Sequence, residues 1–121
     1  MTAFRVNTKP RHRNAGRPPE KTAPGFLQWL RGRKCFIASH APKHVCEGKV
    51  RACHFDPYGC KGMGTKVADR ASMPMCDAAH GEQHRIGWQS FQRKYRFNGR
   101  KVVDAYWQAW PKRFAWERDH G

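Results

Sequence analysis

The stretch "CDAAHGEQHR", Cys76 to Arg85, carries histidines at positions 80 and 84 behind a cysteine. Residues four apart on a helix share a face, so a helix here lets both imidazoles reach one ion. Asp77 is placed to cap that helix, and the pattern carries it through His84. Such a pair also occurs on ordinary solvated faces, so its weight comes from what precedes it. "RACHFD" (51–56) reads as the end of a strand bearing Cys53 and His54 side by side. "FDPYGCKGMGTK" (55–66) is glycine-rich and irregular, a loop exposing backbone N–H groups, and "ADRASMPMC" (68–76) returns to an extended segment. The expected order is strand, loop, strand, helix.

The rest of the chain divides around this centre. Residues 1–24 hold scattered Arg and Lys, several prolines and few aliphatics, too little apolar surface to offset the entropy of ordering. They read as a disordered basic arm whose Arg11, Arg13 and Arg17 can track phosphates. Residues 25–121 form one domain. "PGFLQWLRGRKC" (24–35) is a short amphipathic helix ending near Gly32. Residues 36–52 mix β-branched residues with turn formers and suggest a loop and a short hairpin. "GWQSFQRKYRFNG" and "GRKVVDAYWQAWPKRF" are two further helices within 87–115, separated at Asn98-Gly99 and closed by Pro111. Val102, Val103, Tyr106, Trp107 and Trp110 fall at helical spacing and belong in a core rather than on a base-stacking platform.

Charge names the first partner to consider. The 121 residues carry 24 Lys+Arg against 9 Asp+Glu, a formal charge of +15 spread over the whole length. Nucleic acid fits this balance, because each neutralised phosphate releases counterions and adds affinity. No apolar run approaches a membrane span, and the N-terminus has no hydrophobic segment of a secretory signal, so a cytoplasmic location and no membrane partner are expected. In a reducing compartment the five cysteines point to metal or catalytic use rather than disulfides, against the alternative of small buried apolar residues.

Hydrolysis of a phosphodiester needs a cation at the scissile phosphate and a base for the attacking water. One histidine on a strand and two on a helix supply both in a very small α+β fold of ββα-metal type, the core spanning about 45–86. At these residues the chain resembles the HNH-type nucleases of the RecA-dependent recombination-enhancement group. The resemblance runs over residues 26–97 and rests on "GMGTKVAD" (62–69), "PMC" (74–76) and "HGEQHR" (80–85), in the group's order and close to its spacing. It implies His54 as general base and Asp69 as the loop aspartate that orients the base or the loop. It also implies His80 and His84 as ligands of a catalytic divalent ion (Mg²⁺, Mn²⁺ or Zn²⁺), with Cys53 at a position where some members bind metal. Lys61, Lys66 and Arg85 join the arm in contacting DNA, and a RecA-type recombinase filament is the further partner implied.

The group's structural zinc is held by two Cys-x-x-Cys steps. Here "CFIA" (35–38) and "CDAA" (76–79) keep Cys35 and Cys76 and have alanine at each second ligand. Two ligands do not close a tetrahedral zinc site. Either the zinc is lost, or His40, Cys46 or Cys60 completes a rewired one. A non-catalytic, zinc-stabilised nucleic-acid-binding protein is the competing function, and a small ribosome-associated protein ranks third.

Overall fold

The computed structural model describes residues 21–58 and 67–120. Helix α1 (Pro24–Arg31) begins with proline in its first turn, as that residue's fixed φ favours, and ends at Gly32. Phe26 and Leu30, one turn apart, are completely buried. Residues Phe36–His40 form a second short helix, α2, and not the start of a hairpin. Burial of Ile37 and the placement of Cys35 at its N-cap outweigh the β preference of this segment. The chain then loops to strand β1 (Val50–His54), makes a 3-10 turn at Asp56–Tyr58, and returns as β2 (Ser72–Cys76).

The two strands pair antiparallel, Val50 opposite Cys76 and His54 opposite Ser72, and Phe55 N–H extends the ladder by donating to Ala71 O at 2.7 Å. Every residue of β2 is buried, which explains its unbroken apolar character where an alternating pattern would mark a half-exposed strand. Pro74 is tolerated there because a two-stranded sheet has only edge strands.

Helix α3 (Asp77–Tyr95) follows β2 without a connecting loop. Its N-cap is Cys76, whose sulfur accepts from Ala79 N–H at 3.4 Å, and not the expected Asp77. Asp77 instead bonds the Arg51 side chain and accepts from Lys49 N–H at 3.0 Å, tying β1 to the first turn of the helix. At Gly87 the backbone takes φ +86°, a value L side chains rarely adopt, so α3 is two helices meeting at a kink. That kink falls where the sequence separates the His80–His84 segment from "GWQSFQ". Asn98 caps α4 (Gly99–Ala109) through Lys101 N–H, and α5 (Arg113–His120) resumes beyond Pro111.

A main core lies among α2, the sheet, α3 and α4, around Ile37, Met73, Met75, Phe91 and Val103. A second joins α1 to α4, with Phe26, Leu30, Trp107 and Trp110. Trp107 and Trp110 are therefore core residues, as their spacing indicated. Residues 21–24, assigned to the arm by composition, belong to the fold. Ala23 is buried, Thr22 O accepts from Trp116 Nε1 at 2.9 Å, and Lys21 O accepts from Asp69 N–H. Residues 1–20, with Arg11, Arg13 and Arg17, lie outside the described residues, as do Cys60, Lys61 and Lys66 of the glycine-rich loop.

Candidate metal centre and histidine site

Cys35, His44, Cys46 and Cys76 converge, their donor atoms all within 4.8 Å of one another. Each arrives from a different place. Cys35 caps α2, His44 and Cys46 lie on the loop that follows, and Cys76 ends β2 and caps α3. Among the described residues this is the one group of three or more His, Cys, Asp or Glu side chains that meets so tightly. His44 Nε2 lies 3.4 Å from Cys76 Sγ. A tetrahedral ion with bonds of about 2.0–2.3 Å sets its ligand atoms about 3.5 Å apart, so four such donors can hold a metal ion.

Electrostatics agree with the donor set. Burial pushes the Cys76 thiol up, but hydrogen bonds from His44, the Ala79 and Glu47 amides and Cys46 outweigh it and hold the thiol at about 6. A helix N-terminus adds to that preference for a thiolate. Cys46 goes the other way: desolvation of its sulfur, with Cys76 and Cys35 beside it, raises it to about 12. Three sulfurs crowded together share one negative charge readily and more only with a cation among them.

The loop is pinned in place by its surroundings. Ala78 N–H donates to Glu47 O at 3.1 Å, and Gly48 then turns the chain into β1 at φ +81°. A Cβ on Gly48 would lie 2.3 Å from Asp77 Oδ2, so both backbone and space require glycine.

Of the candidates the sequence offered to complete Cys35 and Cys76, Cys46 is in the cluster and His40 is not. His40 stacks on Phe36 and its Nε2 contacts the carbonyls of Tyr95 and Arg96. The fourth ligand, His44, was missed, although "HVC" (44–46) is a His-x-Cys step that could have flagged it. Ala38 and Ala79, standing where the second ligands would be, pack in the main core. Cys53 is also a core residue. Its thiol donates weakly to Arg51 O at 3.7 Å, burial raises it to about 12, and it lies outside the four-ligand group.

The histidines form two pairs. His54, the last residue of β1, donates Nε2–H to Asp69 Oδ1 at 2.8 Å. Asp69 is itself buried, and its other oxygen accepts from Ala23 N–H at 2.9 Å. On α3, His80 and His84 bring their Nε2 atoms to 2.9 Å. Burial, then the neighbouring His84 and Arg51, hold His80 below the ordinary imidazole range against the pull of Asp77. His80 lines a cleft with Val50, Arg51 and Ala52 of the strand that ends in His54. The two pairs do not merge into one tight group of the kind the cysteines make. Arg85, beside His84, is exposed.

No family model, curated protein or solved structure matches the chain. No helix among the described residues is long and apolar enough to cross a membrane. The established description is therefore a small α+β protein with a two-stranded antiparallel sheet and a Cys/His cluster that could bind a metal ion.

Proposed function

We propose that the chain is a metal-dependent endonuclease of ββα-metal (HNH) type that hydrolyses DNA phosphodiester bonds with low sequence specificity. The observation that carries this reading is the presence of both a His–Asp dyad at the end of β1 and, on α3, two histidines whose Nε2 atoms lie 2.9 Å apart. The chemistry follows from the donors. With Nε2–H given to Asp69, His54 keeps Nδ1 as its proton acceptor, and the buried carboxylate steadies the imidazolium that forms when water is deprotonated. Cis ligands of a Mg²⁺ or Mn²⁺ ion at about 2.1 Å stand about 3 Å apart, which the His80–His84 pair fits. A divalent ion bound there supplies charge stabilisation at the scissile phosphate and the leaving oxygen. Asp69 positions the base and does not itself touch substrate.

Cys35, His44, Cys46 and Cys76 hold a structural zinc in this reading, since three thiolates and an imidazole form a closed, zinc-selecting set. Contacts to phosphate position DNA without reading its sequence. Recombination or DNA processing, with a RecA-type filament as partner, is the setting the sequence resemblance suggests.

The cysteine cluster also favours a second reading, a zinc-stabilised nucleic-acid-binding protein without catalysis. Metal analysis and cleavage separate the two. Cleavage of plasmid or single-stranded DNA that requires added Mg²⁺ or Mn²⁺ supports the nuclease. One tightly held zinc with no cleavage under any metal supports binding alone.

A further inference from the structure

A cleft of about 460 Å³ opens beside the histidine pair. Arg31 from the end of α1, Lys49 from the turn into β1, and Arg51 form its charged wall, Val50 and Ala52 its apolar floor, and His80 one end. Among the described residues no acidic side chain lines it. Asp77, at the foot of α3, engages Arg51, while Arg31 and Lys49 are exposed and form no ion pair among the described residues. Successive side chains of a strand alternate, so Val50, Ala52 and His54 share one face of β1, and Ala52 to His54 is a step of about 7 Å. His54 lies two residues beyond Ala52 on the same strand.

We propose that this cleft binds the phosphodiester backbone of a DNA strand. Arg31 and Lys49 hold phosphates flanking the one presented to His80 and His54. The inference rests on the nuclease reading for its direction, and it gives that reading a substrate path the basic arm alone does not define. The apolar floor suits sugar faces, and the cations suit phosphates.

The test is binding of a fluorescent single-stranded oligonucleotide by the full chain, followed by anisotropy across a salt series without added Mg²⁺ or Mn²⁺. Probe integrity is checked on a denaturing gel. An Arg31→Gln/Lys49→Gln variant is expected to bind about tenfold more weakly at 0.15 M salt. Its slope of log affinity against log salt should be shallower by about 1.4, the value for two single-strand phosphate contacts. Lys49→Glu, a single reversal at an exposed position, should weaken binding at least as much. A Lys112→Gln/Arg118→Gln control, altered at exposed cations on and beside α5, should lose clearly less.

Equal losses in cleft and control variants would overturn the proposal, as would binding of anionic phosphatidylserine vesicles with none of the oligonucleotide. The outcome is separable from the nuclease reading. Cleft-dependent binding in a protein that never cleaves keeps the cleft and removes the nuclease. Cleavage with binding insensitive to Arg31 and Lys49 does the reverse.

Discussion

Asp69 does two jobs with two oxygens. One fixes His54, and the other holds the amide of Ala23, while its own N–H reaches Lys21 O. Asp69→Asn can keep one oxygen's bond but not a carboxylate beside the imidazole. The variant should stay folded, with kcat for cleavage down about 10- to 100-fold and KM little changed, since the imidazolium loses its partner. His54→Ala should lose about 10²–10⁴-fold. A wild-type kcat in Asp69→Asn would remove the positioning role. Gly48 makes a second prediction at this scale. Gly48→Ala combines a left-handed backbone with a contact against Asp77 and should cost about 1–3 kcal/mol in chemical denaturation. A neutral result would mean that the turn is free to rearrange.

At the scale of elements, the four metal donors join α2, its following loop and the β2–α3 junction. A zinc bound there, as proposed, would fix the first turns of α3, and with them His80 and His84, relative to β1. Cys46→Ala should therefore release zinc and lower Tm by about 10 °C or more, because zinc binding is coupled to folding. His80→Ala should leave zinc content and Tm near wild type. Equal zinc loss in both variants would show that the two sets of ligands form one centre.

Much of this arrangement was legible in the sequence. The His-x3-His spacing, the apolar "SMPMC" and the Asn98-Gly99 boundary identify α3, β2 and the start of α4, because local periodicity and turn chemistry act within each segment. The fourth donor of the Cys/His cluster and α2 were not legible. They depend on contacts between residues far apart: Ile37 enters a core formed by β2 and α3, and His44 meets Cys76 across 32 positions. Nor does composition reveal that Lys21–Ala23 dock on Asp69, since that contact is carried by backbone groups of the segment, Lys21 O accepting from Asp69 N–H and Ala23 N–H donating to the Asp69 carboxylate.

The whole molecule carries a charge of +15, with His54 on a strand of the sheet and His80 and His84 on the helix that follows it. Affinity for DNA should fall steeply with salt, about 10³-fold between 50 and 200 mM if six or more phosphates are contacted, and hardly vary with sequence. Salt-insensitive binding would contradict an electrostatic interface. Trp107, buried where α1, α4 and α5 meet, carries the second core, and Trp107→Ala should cost about 3–5 kcal/mol of stability. The most direct test of the central claim is plasmid and single-strand cleavage by purified protein with Mg²⁺ or Mn²⁺, beside EDTA and His54→Ala and His80→Ala controls. Metal-dependent cleavage, abolished by EDTA and reduced at least about 10²-fold in both variants, is the expected result. Cleavage by His54→Ala at the wild-type rate, or none by wild type with any divalent metal, would contradict it.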